Sequence, residues 1–256
     1  MFIDAHAHLD DPIIAPREQE VVAAAKAAGV GVIVNASSDL PSSEASVSLA
    51  SRYKDIYAVV GVHPHEAKTY SEEAEVRLKQ LCQNPKVVAF GEIGLDYHYD
   101  LSPRDQQKQV LEREIRVAAE LSLPVVFHVR EAYEDFNAII ERNKKYLTHG
   151  VLLHCYSGSA ELAKYYTKHF DAYFSFGGAL TFAKHKEEVL AVIPEDRLLL
   201  ETDCPYMTPV PFRGTPNEPK NIPLVAAKMA ELKGLSGEEI ERVTTENALR
   251  FYSIKL

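Results

Sequence analysis

The chain opens with Met1-Phe-Ile-Asp-Ala-His-Ala-His-Leu-Asp10. Phe2 and Ile3 read as a short buried strand, and His6 and His8 follow it two residues apart. In extended backbone, side chains two apart point to the same side. Two imidazoles at one strand end can therefore converge on a single metal ion. An H-x-H pair alone is just as readily a surface feature. Its weight comes from recurrence, because the chain repeatedly sets His, Glu or Asp at the end of a short apolar run.

Those runs can be followed in order. Gly31-Val-Ile-Val-Asn35 is the second. Residues 56–60 run into Gly61-Val-His-Pro-His65, and residues 87–90 into Gly91-Glu92. Residues 124–127 end at His128, residues 151–153 at His154, and residues 172–175 run on to Gly177-Gly178. Residues 198–200 end at Glu201-Thr-Asp203. Helical patterns separate the runs, over residues 17–28, 44–52, 71–82, 103–122, 136–146, 160–169 and 184–193. In the helix at 103–122, Leu111, Ile115 and Ala118 recur at helical spacing. A proline-rich loop over 205–223 and helices over 224–233 and 237–252 close the chain. The runs lack polar alternation, as expected of strands buried on both faces in a parallel sheet. Eight βα units in 256 residues fit a (β/α)8 TIM barrel. A doubly wound open sheet is the alternative. No Pro/Gly/Ser linker divides the chain, so residues 1–256 read as one domain.

Composition narrows the function. Hydrophobic residues make up 46% of the chain, enough for a sizeable core. The net charge of −9 disfavours broad nucleic-acid binding through a basic face, but not a nucleic acid gripped locally by metals and a few Arg or Lys. Three cysteines with no C-x-x-C suggest reduced thiols in a cytoplasmic protein. No basic and apolar leader precedes the histidine motif. No stretch approaches the roughly 18 apolar residues of a membrane span.

In a TIM barrel the C-terminal strand ends share one face, where active sites sit. His6, His8, His63, His65, Glu92, His128, His154 and Asp203 would all meet there. Even four of these histidines with the two carboxylates exceed one tetrahedral site but suit two adjacent ions. Glu92, midway around the ring, is placed to bridge them. Such a pair sits about 4 Å apart, clamps a displacement at phosphorus or carbonyl carbon, and lowers the pKa of bound water to about 7. Asp203 is expected to be both ligand and proton acceptor. Glu201, two residues earlier, either faces the site as a further catalytic carboxylate or orients a ligand from behind. Cys155 and Cys204 directly follow expected ligands, so in extended backbone they should point away as small buried filler.

These segments closely resemble the TatD family of metal-dependent deoxyribonucleases. The resemblance rests on Phe2-Ile-Asp-Ala-His-Ala-His-Leu-Asp10, Gly61-Val-His-Pro-His65, Gly91-Glu-Ile-Gly-Leu-Asp-Tyr97, His154-Cys-Tyr-Ser-Gly-Ser159, Glu201-Thr-Asp-Cys-Pro-Tyr206 and Arg213-Gly-Thr-Pro-Asn-Glu-Pro219. The segments cover essentially the whole chain, in order. The resemblance implies two divalent cations (Mg, Mn or Zn). His6, His8 and Asp203 would hold the first, His128 and His154 the second, with Glu92 between them. Related barrels often bridge with a carbamylated lysine, and Glu92 stands apart from them. The resemblance also implies hydrolysis of phosphodiester bonds in DNA, commonly 3′→5′ on single strands, and a phosphate contact from His63.

Further substrate contacts are expected from His65, from Arg130 two residues beyond His128, and from Arg213 in the long loop. Arg213 would either clamp a phosphate or pair with a carboxylate. Tyr97, Tyr99 and Phe212 can stack on bases, although core or loop packing is the simpler expectation. Two other functions compete with the nuclease. One is a deacylase or amidohydrolase acting on an ester or amide such as D-aminoacyl-tRNA. The other is a non-catalytic metal-binding protein, disfavoured because structural zinc sites are usually closed and cysteine-rich. The expected partner is single-stranded DNA, with no membrane and no obligate protein partner.

Overall fold

Each of the eight apolar runs forms a strand in the computed structural model, which describes all 256 residues. The strands are β1 (Phe2–Ala7), β2 (Val30–Ala36), β3 (Ile56–Val60), β4 (Val87–Asp96), β5 (Val125–Arg130), β6 (Val151–Leu153), β7 (Tyr173–Phe176) and β8 (Leu198–Leu200). They pair in sequence order, each parallel to the next, which excludes the doubly wound alternative. The helices are α1 (Glu18–Ala27), α2 (Leu40–Arg52), α3 (Glu72–Leu81), α4 (Arg104–Glu120), α5 (Tyr133–Arg142), α6 (Ala160–Phe170), α7 (Lys186–Val192), α8 (Ile222–Lys233) and α9 (Gly237–Phe251). None is long and apolar enough to cross a membrane.

The ring closes where β8 meets β1. The Asp203 N–H donates to the His6 carbonyl and the His8 N–H to the Cys204 carbonyl, both at 2.9 Å. Beside them the buried Asp4 carboxylate accepts the Thr202 N–H at 2.9 Å and the Thr202 hydroxyl at 2.5 Å.

Two apolar layers hold the barrel. Ile3, Ala5, Val32, Val34, Val59, Val126, Leu152 and Leu199 fill the interior, with Phe251, Tyr252 and Ile254 from the C-terminal segment packed against them. A larger outer layer joins the other strand faces, such as Ile33, Phe90, Phe127 and Phe174, to Leu49, Leu78, Leu111, Ile115 and Phe136 of the helices.

Several boundaries differ from the sequence reading. β1 continues beyond Ile3 to Ala7, β4 beyond Phe90 to Asp96, and β5 beyond Phe127 to Arg130. Each strand outlasts its hydrophobic run because its last residues point polar side chains into the mouth. In β4 the register slips between Phe90 and Ile93. Gly91 and Gly94 sit at φ +153° there, a conformation that L side chains rarely adopt. Ile93 and Leu95 join the outer layer, which leaves Glu92 and Asp96 facing inward. α2 starts at Leu40 rather than 44, because Asp39 accepts the Ser42 N–H and Ser42 returns a bond to the Asp39 N–H in a reciprocal cap. α5 begins at Tyr133 and stops at Arg142, and a 3-10 turn continues over Lys144–Tyr146.

Candidate metal centre

Glu92 is the hub of the mouth. It is buried, and its two carboxylate oxygens face different donor groups. Oε1 lies 3.6 Å from His6 Nε2 and 3.5 Å from His8 Nε2, with Asp203 Oδ1 3.2 Å beyond His8 Nε2. Oε2 lies 2.9 Å from His154 Nε2, 3.6 Å from His128 Nδ1 and 3.9 Å from His63 Nε2. Three overlapping triads bring their ligand atoms within 4.8 Å of one another: His6, His8 and Asp203; His6, Glu92 and His154; His63, Glu92 and His128. Burial resists the ionisation of Glu92. The imidazoles of His154, His6 and His63 outweigh it and hold the carboxyl well below its usual range. Asp203 is also lowered, with burial opposing and the His8 hydrogen bond and His154 prevailing.

The outer nitrogen of each imidazole indicates what the inner one can do. His8 Nδ1 is committed to the Ala36 carbonyl at 3.0 Å, so Nε2, which hydrogen-bonds Asp203 Oδ1 at 3.2 Å, is the nitrogen that could turn a lone pair to a cation. His128 Nε2 faces Asp96 Oδ2 at 3.0 Å, which leaves the Nδ1 lone pair toward Glu92. The carboxylate nearest His154 Nδ1 is Glu201 Oε2, at 3.8 Å. His6 is fully buried, its ring stacks on His154 with centroids 4.0 Å apart, and neither ring nitrogen has a hydrogen-bond partner. Ring nitrogens crowded around two carboxylates, with the buried His6 Nε2 left unpartnered 3.6 Å from Glu92, are what a cation between them would satisfy. The donor set therefore fits divalent metal.

His63 is wired the other way. Its Nδ1 accepts the His65 N–H at 3.1 Å, so in the neutral ring Nε2 holds the hydrogen. It faces the site as a donor and not as a ligand.

The other candidates are placed as follows. Glu201 is fully buried, accepts the Ser175 hydroxyl at 2.5 Å, and lies behind His154 rather than beside Asp203. The two diverge because Asp203 adopts a left-handed φ of +55°, which breaks the alternation of extended backbone. Cys204 is buried as expected. Cys155 departs from expectation. Its φ of +43° turns it from the extended path, it is only partly buried, and burial and then the charges of Glu201 and Asp203 push its thiol up. His65 Nε2 sits 3.1 Å from Asp96 Oδ2. Arg130 lies over the Tyr99 ring at 4.9 Å, and Arg213 over Phe182 at 3.7 Å, without the carboxylate partner that was one expectation for it. Tyr97 packs at the core edge and donates to Asp135, as the packing expectation had it, whereas Tyr99 and Phe212 are exposed.

Three residues escaped the sequence reading. Asp96 had a signal, because it stands four residues after Glu92 and so shares its strand face. Glu114 accepts the Val62 N–H at 2.8 Å and so anchors the loop that carries His63. Its signal was a carboxylate on the core-facing stripe of α4. Asp4 had none.

A parallel barrel with imidazoles and carboxylates gathered at its C-terminal mouth defines a metal-dependent hydrolase of the TIM-barrel class. Residues 3–253 match the TatD related DNase family, and the chain belongs to that family. It is 44% identical to the uncharacterized metal-dependent hydrolase YabD of Bacillus subtilis, over 99% of this chain and all of the relative. It is 35% identical to the 3′-5′ ssDNA/RNA exonuclease TatD of Cronobacter sakazakii, over 91% of this chain and 90% of that one. The crystal structure of YjjV, a TatD homologue from Escherichia coli, superposes with a TM-score of 0.92 at 31% identity, covering 99% of this chain and 98% of that one.

Proposed function

We propose that this chain is a nuclease that removes nucleotides from the 3′ end of single-stranded DNA, using two divalent cations bridged by Glu92. The observation that carries the reading is the division of the Glu92 carboxylate, one oxygen toward His6 and His8 and the other toward His154 and His128. Bound there, the cations would supply Lewis acidity toward a phosphoryl oxygen and make water more acidic. His6, His8 and Asp203 would hold one, His128 and His154 the other.

The remaining steps fall to the chain itself. His63, with its hydrogen on Nε2, donates to a non-bridging oxygen of the scissile phosphate. Asp203 accepts the proton released by the attacking water. Glu201 supports His154 from behind. Arg130 and Arg213 pair with neighbouring phosphates, and the exposed rings of Tyr99, Tyr206 and Phe212 offer stacking faces for unpaired bases. A relative named as an ssDNA/RNA exonuclease supports this substrate class.

The test uses single-stranded DNA labelled at either end, with Mg²⁺ or Mn²⁺ and with chelator. Loss of mononucleotides from the 3′ end, abolished by chelator, is expected. Intact DNA with either metal, together with turnover of an aminoacyl-tRNA, would replace this reading with the deacylase. Glu92→Gln should lower turnover by more than the roughly 10²–10³-fold typical of losing one oriented electrostatic group, with the circular dichroism spectrum unchanged.

A further inference from the structure

We propose that Asp96 is a positioning residue that sets the tautomer of His128 and so keeps the Nδ1 lone pair of that ring open to the second cation; this rests on the two-cation reading above. Asp96 ends β4 and is fully buried. Its backbone is gripped from α4: Gln107 Oε1 accepts the Asp96 N–H at 2.9 Å, and Gln107 Nε2 donates to the Asp96 carbonyl at 3.2 Å. Its Oδ1 accepts two backbone N–H groups, from His98 and Tyr99, each at 2.9 Å. The carboxylate cannot rotate without losing both. Oδ2 is thereby fixed 3.0 Å from His128 Nε2 and 3.1 Å from His65 Nε2.

An ionised carboxylate only accepts hydrogen bonds, so it selects the tautomer with hydrogen on the nitrogen facing it. A neutral imidazole has a single N–H. Placing it on His128 Nε2 leaves Nδ1 bare, 3.6 Å from Glu92 Oε2 and 3.1 Å from His154 Nε2. The same Oδ2 engages His65, whose backbone N–H sets the same Nε2–H tautomer on His63, where it is the hydrogen and not the lone pair that faces the site. One buried carboxylate thus sits between the ligand side of the mouth and its donor side.

The informative substitution is Asp96→Asn. The amide oxygen is held at the Oδ1 position by the two backbone donors, so the NH₂ group takes the Oδ2 position. Its hydrogens then face His128 Nε2 and drive the hydrogen of the ring onto Nδ1, where the cation should bind. Native mass spectrometry of a Mn²⁺ titration should show two ions on the wild-type chain. On the variant the first ion should be retained, and the affinity for the second should fall roughly 10- to 100-fold, the usual effect of losing a carboxylate behind a ligating histidine.

The direct readout is ¹⁵N NMR of histidine-labelled, metal-free protein at a pH where His128 is neutral. The wild type should carry the hydrogen on His128 Nε2 and the variant on Nδ1. Hydrogen on Nδ1 in the wild type overturns the proposal whether or not the variant folds. Two equally tight ions on the folded variant overturn it as well. Fewer than two ions on the wild type sinks the two-cation reading instead, and the wild-type tautomer still decides the case of Asp96.

Discussion

At the scale of single residues, what separates a ligand from a donor is the partner of the far ring nitrogen. His8 and His63 both reach toward Glu92, yet one is backed by a carbonyl and the other by an N–H. The same scale explains Glu114. Burial pushes its carboxyl well above the usual range, one oxygen accepts the Val62 N–H, and the other has no partner. A carboxyl whose folded pKa is raised holds its proton more tightly in the native state. The stability it contributes is complete below the unfolded pKa and is lost as pH rises through the folded one. Glu114→Gln keeps an acceptor for Val62 and cannot ionise. Urea unfolding should therefore show the wild type losing stability relative to the variant between pH 5 and pH 9. A constant difference across that range would show that Glu114 is ionised at both ends.

Most ligand candidates were legible in the sequence because a strand followed by His or Glu is a local pattern. Asp96 and Glu114 were less so. Their roles depend on which backbone group lies opposite, and only the assembled barrel determines that.

At the scale of elements, the eight strands and their order follow from apolar runs and helical spacing, but the ends of β1, β4 and β5 do not. Hydrophobicity marks where a strand is buried among apolar neighbours, and these three strands continue into a polar mouth that is buried at β1 and β4 and half-buried at β5. β4 depends on its glycines for this. A Cβ at Gly94 would lie 1.8 Å from the His128 carbonyl oxygen, on a backbone already at φ +153°. Gly94→Ala should cost more than the roughly 1–3 kcal/mol of a strained backbone alone, measured by chemical denaturation. It should weaken metal binding in parallel, because the clash displaces the strand segment that carries His128. A variant of wild-type stability would mean that β4 and β5 can part without loss.

At the scale of the whole molecule, the mouth crowds carboxylates and imidazoles together, and some of their buried atoms, both ring nitrogens of His6 among them, have no partner. Metal binding should therefore appear as folding stability. A ligand at 100 times its dissociation constant adds about 2.7 kcal/mol per site. Thermal unfolding with Mn²⁺ should shift upward, and Glu92→Gln should remove most of the shift. No shift in the wild type would contradict the metal centre itself.

The closure between β1 and β8 has its own consequence. His8 and Asp203 stand 195 residues apart in sequence, yet they flank the same point of the ring. A polypeptide emerging from a ribosome, or one clipped before residue 203, can assemble most of the staves but lacks a carboxylate of the group proposed to hold the first cation. Truncated and half-made copies would then be catalytically silent, and a cell would be spared a hydrolase active during its own synthesis.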